Sequence, residues 1–544
     1  MRCRLKDGGV YTDMLDILIR NGLIADGSGS ASWIGDVGVK DGRIVDLCKH
    51  ILDTANETID AAGKVVAPGF IDLHSHSDLW MVGNPSEGIK LRQGITTEIF
   101  GNCGFSPAPV SKEYIKLLQA YSEPIMGRLA DDWSWETYGG YLDMLKRNKL
   151  SHNTGGYVGN GALRIAVKGF EAGPLTSDEM SKIKGLLAES LEAGALGLSM
   201  GLMYAPENYY NREELVEICS ILKKYGVIFA VHMRGEGNSL LKSIEEVLYI
   251  ARKSEAPLHI SHLKAAGRNN WGTKCNEAIQ LIEDARSSGM DITCDIYPYT
   301  AGSTSLYTLL PPWTLEGGVQ KAIQRIKDPG QRHKIIEELK RETDDWDNLV
   351  YSTGWENVLV SSVSTAANQC FVGKRISEIA EVLDIEPVEA ALNLLVEEDG
   401  YVAIVFFHMS EEDVIKIMRL DYSFVISDSL YSGGGMPHPR LYGAFPRLFA
   451  NYVREKKILA LEDAVRKVTS MPAQRLGLKH IGRLERGYIA DIVIFDINTI
   501  QDNATYIAPR QFASEINCVI VGGKIAARFD KLTGVCNGRL LLRE

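Results

Sequence analysis

The chain has 544 residues, which is longer than one ordinary domain and enough for a sizeable core. Lysine and arginine number 59 against 70 for aspartate and glutamate, so the formal net charge is −11. This acidic balance, without a long basic run, argues against a dedicated nucleic-acid surface or an anionic-membrane surface. No apolar run is long enough to span a bilayer, so we expect no membrane partner.

The amino-terminal residues predict neither a signal peptide nor an early strand. Residues 1–6 are basic but lack the apolar stretch of a signal sequence. Met14 precedes a more typical first strand, so we interpret residues 1–13 as an upstream extension. Nine scattered cysteines without a framework spacing indicate a reduced, cytoplasmic protein. The composition leaves a homo-oligomer open.

Both ends of the chain are predicted to be β-structure. Short strands punctuated by glycine fill residues 14–66, and Asp41-Gly42 is a hairpin-turn signal between two of them. A matching pattern returns in residues 490–496 and 518–523. We therefore expect one small β-sandwich or β-barrel domain, formed by residues 1–66 together with 481–544.

The middle of the chain, residues 67–480, alternates predicted strands with predicted helices. Thr176 and Glu179 have the spacing of a capping box, and Gly194 ends the helix that they begin. The predicted parallel strands end near Leu73, Phe100, Val158, Ser199, Val231, Ile260, Asp295 and Ile426. Eight such units favour an α/β fold with a closed (β/α)₈ barrel, as in a TIM barrel. The interval of about 300–422 is too long for a loop and predicts a helical insertion before the last barrel strand.

Two histidines directly follow the first barrel strand. Side chains two apart on an extended chain point to the same face, so His74 and His76 can reach one point. Two neutral imidazoles converging there suit a metal such as zinc. An isolated His-x-His is more often a pair of ordinary histidines, so the interpretation depends on further ligands at later strand ends.

Those later strand ends supply further metal-competent side chains. Cys103 follows the second strand, His232 the fifth and His262 the sixth, and Asp428 follows the eighth. Each alone is more often a packed residue than a ligand. Because barrel active sites lie at the carboxyl ends of the strands, their joint occurrence there predicts a metal site with a cysteine ligand. His259 competes for the sixth position; we assign His262, which lies past the strand end.

Longer motifs carry a resemblance to a known family. They are Pro68-Gly-Phe-Ile-Asp-Leu-His-Ser-His76, Gly101-Asn-Cys-Gly104, Ser261-His-Leu-Lys264, Pro437-His-Pro-Arg440, Ser470-Met-Pro-Ala473 and Gly487-Tyr-Ile-Ala-Asp491. From about Met14 onward the chain resembles the N-acyl-D-amino-acid deacylases, or D-aminoacylases, of the amidohydrolase superfamily. The resemblance implies a tight zinc ion held by Cys103, His232 and His262. It also implies a weaker second metal position at His74, His76 and Cys103, and Asp428 as the general base.

The resemblance also implies the residues that contact the substrate. Lys264, Tyr297, Ser303 and Arg440 match positions that bind the substrate carboxylate or shape the pocket, and Met409 matches a residue lining the side-chain pocket. The stretch after Asp428, Ser-Leu-Tyr-Ser-Gly-Gly-Gly-Met, departs from the usual family loop. From the residues alone, Lys264 and Arg440 are equally compatible with ordinary surface or ion-pair roles.

These observations predict zinc-dependent hydrolysis of a small molecule, an N-acyl-D-amino acid, to a carboxylate and a free D-amino acid. The D-configuration comes only from the resemblance. One alternative is a cyclic amidohydrolase of the dihydroorotase or hydantoinase type. Those relatives usually bridge two metals with a carboxylated lysine, and residues 195–200 contain none. The other alternative is a non-catalytic barrel scaffold, which would not need to keep the ligands and the base together.

Overall fold

The computed structural model describes residues 14–129, 133–343, 346–431 and 434–543. Its strands are β1 Leu15–Ile24, β2 Trp33–Lys40, β3 Arg43–Cys48, β4 Ala55–Asp60, β5 Val65–Pro68, β6 Phe70–Asp72, β7 Ser75–His76, β8 Ile95–Phe100, β9 Asn153–Gly156, β10 Val158–Gly159, β11 Gly197–Gly201, β12 Ile228–His232, β13 Leu258–Ile260, β14 Ile292–Ile296, β15 Ala301–Ser305, β16 Val358–Ser362, β17 Ala403–Phe407, β18 Ser423–Val425, β19 Ser429–Leu430, β20 Ile492–Phe495, β21 Ile516–Val521, β22 Lys524–Arg528 and β23 Lys531–Leu532. Its α-helices are α1 Trp80–Gly83, α2 Ile115–Met126, α3 Tyr138–Arg147, α4 Asn160–Lys168, α5 Ser177–Ala193, α6 Arg212–Cys219, α7 Leu222–Tyr225, α8 Leu240–Ser254, α9 Thr273–Ser287, α10 Val319–Lys327, α11 Pro329–Leu339, α12 Leu349–Thr353, α13 Ile376–Leu383, α14 Pro387–Glu397, α15 Glu411–Arg419, α16 Arg440–Arg447, α17 Leu461–Lys467 and α18 Ser470–Arg475.

Both ends of the described chain contribute to one nine-stranded sheet. Its order is β23-β22-β21-β20-β5-β1-β2-β3, with β4 added to β1. The two halves join where β20 pairs antiparallel with β5. Asp41 and Gly42 both have positive φ, at 49° and 75°, as the tight turn between β2 and β3 requires. Ile19, Val37 and Ile520 belong to one buried cluster, so apolar residues from both halves share a core.

The middle of the chain forms a barrel of parallel strands. Strands β6, β8 and β9 pair in parallel, as do β10, β11, β12, β13, β14 and β18. Only Tyr157 separates β9 from β10, so these two segments act as one strand. The barrel closes where β19 pairs in parallel with β7 and the Asp428 N–H donates to the His74 carbonyl at 2.9 Å. Each observed strand end lies within two residues of its predicted position.

The predicted start and end of helix α5 are confirmed by the structure. Thr176 Oγ1 accepts the Glu179 N–H at 3.3 Å, and Glu179 Oε2 accepts the Thr176 N–H at 2.7 Å, which completes a capping box at the start of α5. Gly194, with φ of 119°, ends the helix. The end of the helix fixes where the next strand begins. The length of that strand then fixes the position of its carboxyl end.

A buried lysine stabilises the seam of the barrel. Lys90 Nζ donates to Asp72 Oδ2 at 2.6 Å, to Ser429 Oγ at 2.6 Å and to Ser427 Oγ at 3.0 Å. It also lies 3.1 Å from Glu98 Oε1. Because these partners come from the first, second and eighth strands, one ammonium group holds the strands on which the site is built.

The expectation of a helical insertion over about 300–422 needs correction in two respects. Helices α10 to α14 are present, but so is a three-stranded antiparallel sheet in the order β15-β17-β16. In addition, α15 packs against β14 and β18, so it is a helix of the barrel rather than of the insertion. The strand β15, Ala-Gly-Ser-Thr-Ser, has a composition that does not favour a strand, and it pairs with β17, which follows about 100 residues later in the chain.

The last described residues leave the nine-stranded sheet and run along the barrel. The Thr154 N–H donates to the Arg539 carbonyl at 2.9 Å, and the Leu541 N–H donates to the Thr154 carbonyl at 2.6 Å. The predicted unit 481–544 therefore ends, within the described chain, in a segment that contacts the third barrel strand. Among the described residues no helix combines the length and apolar character needed to cross a membrane.

Candidate metal centre

The barrel brings the five predicted metal ligands and Asp428 together at the carboxyl ends of its strands. Cys103 Sγ lies 3.3 Å from His74 Nε2 and 3.4 Å from His262 Nε2. Ligand atoms of Cys103, His232 and His262 lie within 4.8 Å of one another, as do those of His74, His76 and Cys103. All of these side chains are buried. The structure thus brings residues from strands one, two, five and six to a single point.

Asp428 lies beside the two histidines of the first strand. Its Oδ1 is 3.3 Å from His76 Nε2 and 3.5 Å from His74 Nε2. Its other oxygen, Oδ2, is 2.8 Å from Arg440 Nη1. One carboxylate oxygen therefore faces the imidazoles, while the second is held by a guanidinium group.

Three of these residues have an unusual backbone conformation. Cys103, His262 and Asp428 have φ values of 53°, 34° and 49°, in the left-handed region that non-glycine residues rarely occupy. Such conformations persist where surrounding contacts impose them, and they occur often at functional sites. One such contact is a short hydrogen bond from the His262 N–H to Asp295 Oδ1. The chain turns sharply just past each strand end, which directs these side chains inward.

Glu236 is a buried carboxylate that the sequence did not single out. Its Oε1 accepts a hydrogen bond from Lys264 Nζ at 2.6 Å and lies 3.0 Å from His262 Nδ1. Its Oε2 is 3.8 Å from His232 Nε2. When His262 is neutral and its Nε2 faces Cys103, its Nδ1 carries the proton, and Glu236 is positioned to accept it. Glu236 therefore orients the sixth-strand imidazole.

Asp295 has a similar role for the first-strand histidine. Its Oδ2 lies 3.4 Å from His74 Nδ1 and accepts from His259 Nε2 at 2.8 Å. His259 thus supports a carboxylate that in turn contacts His74 and the backbone of His262. From the sequence, Asp295 is recognisable only as a polar residue at the end of the seventh strand. Its partners lie on other strands, so the sequence does not reveal the network.

The charges around the site favour ionised acidic groups. Burial raises the pKa of the Cys103 thiol, but the imidazoles of His74 and His262 outweigh burial and hold the pKa well below its ordinary value. Burial likewise raises the pKa of Asp428, but Arg440 and the imidazoles of His74, His76 and His262 together more than offset burial, so the net pKa is well below the usual range. The site therefore presents a thiolate and a carboxylate to the space between the imidazoles.

The donor set fits a tetrahedral zinc ion. Zinc binds thiolate sulfur at about 2.3 Å and imidazole nitrogen at about 2.0–2.1 Å, which in tetrahedral geometry separates the two donors by about 3.6 Å. The distances from Cys103 Sγ to the Nε2 atoms of His74 and His262, 3.3 and 3.4 Å, are close to that value. His232 Nε2 and His76 Nδ1 have no hydrogen-bond partner among the described residues. Soft sulfur and imidazole donors select zinc over magnesium or calcium.

Four of the five predicted substrate-contacting residues line one cavity with the metal-binding side chains: Lys264, Tyr297, Ser303 and Arg440. The guanidinium carbon of Arg440 lies 4.7 Å from the centre of the Tyr297 ring, and Lys264 Nζ lies 5.8 Å from it. Ser303 Oγ donates to the Ile404 carbonyl at 2.9 Å. Met409 is buried but is not among the described residues that line this cavity; its neighbour His408 is.

The chain is similar to known proteins in both sequence and structure. The model of the amidohydrolase family matches residues 57–284 and 425–527. The chain is 32% identical to D-aminoacylase of Alcaligenes xylosoxydans xylosoxydans, over 97% of this chain and 98% of that protein. It is equally 32% identical to N-acyl-D-glutamate deacylase of the same organism, over 94% and 93%. The solved structure of N-acyl-D-glutamate deacylase from Bordetella bronchiseptica, complexed with zinc and a phosphonate inhibitor, superposes with a TM-score of 0.80 at 29% identity, covering 98% of this chain and 100% of that one.

The matched residues and the full-length similarity define the class of protein: the chain belongs to the amidohydrolase family. It is a hydrolase that combines a barrel with an additional domain. Within the family, its resemblance to the N-acyl-D-amino-acid deacylases, inferred above from short motifs, is confirmed by relatives that match nearly the whole chain.

Proposed function

We propose that this enzyme hydrolyses the amide bond of N-acyl-D-amino acids, with zinc bound at Cys103, His232 and His262 and with Asp428 as general base. The observation that carries the proposal is the convergence of a cysteine, four histidines and an aspartate from separate strands at one buried point. The deacylase relatives support the substrate class.

The residues of the chain have separate tasks in this reaction. A bound zinc ion lowers the pKa of a coordinated water and polarises a carbonyl group. Asp428 accepts a proton through Oδ1, which faces the histidines, and later donates it to the leaving amine. Arg440 keeps Asp428 ionised through its contact with Oδ2 and so keeps the base ready at neutral pH.

We assign binding of the substrate carboxylate to Arg440, which lines the same cavity as the metal-binding side chains. Arg440 Nε and Nη2 have no hydrogen-bond partner among the described residues, although the side chain is only 1% exposed. A guanidinium group can bind a carboxylate through two parallel hydrogen bonds. Lys264 and Tyr297 lie close enough to extend this subsite. The α-carboxylate of an N-acyl amino acid would thus be held while its amide carbonyl faces the metal ligands.

The other amidohydrolase reaction is the opening of a cyclic amide, and the described barrel lacks the carboxylated lysine that those enzymes usually use to bridge two metal ions. Strand β11, Gly197–Gly201, contains no lysine that could be carboxylated. Cys103 belongs to both groups of candidate ligands, so a thiolate can take the bridging position instead. We therefore assign a weaker second metal position to His74, His76 and Cys103.

The test is a paired measurement on the purified protein. Elemental analysis should find at least one zinc ion per chain, and N-acetyl-D-amino acids should release free amine while the L-enantiomers do not. Dihydroorotate and hydantoin serve as cyclic controls. Hydrolysis of a cyclic substrate but of no linear one would contradict the proposal, and a zinc-free, inactive protein would favour the scaffold.

A further inference from the structure

The cavity beside the metal-binding residues has an extensive apolar wall, and its further polar lining consists of neutral groups such as Tyr204, Thr304 and Thr308. Its apolar wall includes Phe105, Ile125, Met203, Leu309, Leu349 and Phe406, which come from several loops and from the insertion. The two relatives that match the chain equally well are one enzyme named for an acidic amino acid and one that is not. The charge and polarity of the subsite that holds the amino-acid side chain therefore decide whether an acidic or a neutral substrate fits.

Each cation in the described cavity wall already has a buried counter-charge. Lys264 is paired with Glu236 at 2.6 Å, and Arg440 is paired with Asp428 at 2.8 Å. Both cations are positioned for the α-carboxylate, which every N-acyl amino acid carries. A second carboxylate, on an acidic side chain, would need another positive group.

Other basic groups near the cavity are not available for that role. His408 lines the cavity, but its Nδ1 donates to the Phe406 carbonyl at 2.8 Å, so a neutral ring presents only an acceptor at Nε2. Burial lowers the pKa of His408 to about 3, which keeps it neutral. Arg234, in the adjoining wall, is bound to both oxygens of Glu246 at 3.0 and 3.2 Å and to the Asn208 carbonyl.

The internal residues outside the described ranges do not supply a cation either. Residues 130–132, 344–345 and 432–433 are Ala-Asp-Asp, Asp-Asp and Ser-Gly, so none of them carries a positive charge. A side-chain carboxylate in this cavity would be removed from water without a cation to pair with, which costs several kcal/mol in real proteins. An apolar side chain would instead gain from burial against the apolar wall.

We infer that the enzyme selects N-acyl derivatives of neutral, apolar D-amino acids and discriminates against D-glutamate and D-aspartate. This inference rests on the proposed function and specifies its substrate class. The absence of a third cation among the described lining residues carries it, together with the apolar wall that faces the ligands.

The test compares kcat/KM of the zinc-loaded enzyme for N-acetyl-D-leucine, N-acetyl-D-glutamine and N-acetyl-D-glutamate. Glutamine and glutamate differ in charge but hardly in size, so their ratio isolates the charge. We expect D-glutamate to be at least about 10-fold worse than D-glutamine, and at least about 100-fold worse than D-leucine, because its second carboxylate is buried unpaired. Equal or faster hydrolysis of D-glutamate would overturn the inference while leaving the proposed function intact. If no N-acetyl-D-amino acid were hydrolysed by the zinc-loaded protein, both would fail.

A pair of variants tests the same inference from the enzyme side. Thr308 lines the cavity and is half-buried, and its hydroxyl donates to the Ser305 carbonyl. Thr308→Lys adds a cation of flexible reach, whereas Thr308→Met adds comparable bulk without charge. We expect the D-glutamate to D-leucine ratio of kcat/KM to rise at least about 10-fold in the lysine variant relative to the methionine variant. An equal ratio in the two variants would show that charge is not what excludes the acidic substrate.

Discussion

Replacing Glu236 with glutamine should weaken zinc binding without removing any metal-binding side chain. The carboxylate contacts His262 Nδ1 at 3.0 Å and Lys264 Nζ at 2.6 Å. Burial raises the pKa of Glu236, but Lys264, His232 and His262 together more than compensate, so the net pKa is well below the usual value and the group is ionised. Hydrogen bonds to a charged group contribute about 1.5–3 kcal/mol each. Glutamine keeps an acceptor but loses the charge, so part of that energy is lost.

We expect the Kd for zinc to rise about 10- to 100-fold in Glu236→Gln, which is about 1.4–2.7 kcal/mol and the range found for residues that orient metal ligands. The measurement is a competition titration of the apoprotein against a zinc chelator of known affinity. Glu245→Gln is the matched control, because Glu245 is an exposed carboxylate on α8 and its replacement removes the same charge. A Kd within about twofold of the parent enzyme would refute the orienting role of Glu236.

Four further substitutions have distinct expected outcomes. Asp428→Asn should retain zinc but reduce kcat at least about 100-fold, because the general base is lost; near-normal turnover would show that the base is another residue. Cys103→Ala should lose the tight zinc ion in elemental analysis, and full occupancy would exclude the thiolate as ligand. Gly104→Ala should disturb the same loop, because its φ is 77° and a Cβ would lie 1.6 Å from Glu207 Oε1; an unchanged zinc affinity would count against this constraint. Lys90→Met removes the buried cation that Asp72 and Glu98 share and should lower the free energy of unfolding by about 3–5 kcal/mol, measured by urea unfolding; an unchanged midpoint would refute it.

The site could be predicted from the sequence because residues that follow successive barrel strands lie at the same end of the barrel. His74, Cys103 and His262 each follow a predicted strand, and parallel strands in a barrel bring those positions to one rim. Strand ends could be predicted to within two residues, since local signals such as the capping residue Thr176 and Gly194 mark helix boundaries. The candidate metal ligands could thus be predicted from local sequence patterns.

The supporting groups could not be predicted in the same way. Glu236 lies in a loop after β12, and its role depends on Lys264 from the next strand. Lys90 precedes the second strand, and only closure of the barrel brings it to Asp72 and Ser427. A buried carboxylate or ammonium group leaves no periodic signal, because its partners are fixed by tertiary contacts.

The insertion shows the same limit for secondary structure. Its helices α10 to α14 match the predicted helical character, but its three strands pair over long sequence distances.

Met409 shows a difference of one residue between the expected and the observed cavity lining. The assignment of Met409 came from family resemblance, whereas the described cavity wall contains the preceding residue, His408. A shift of one residue after a strand changes the direction of the side chain.

The central claim is that a thiolate from the second strand shares a metal ion with imidazoles from the fifth and sixth strands. X-ray absorption at the zinc edge of the metal-loaded enzyme tests it most directly. We predict one sulfur neighbour at about 2.3 Å together with nitrogen neighbours at about 2.0–2.1 Å, and loss of the sulfur signal in Cys103→Ala. A zinc ion surrounded only by nitrogen and oxygen in the unaltered enzyme would contradict it.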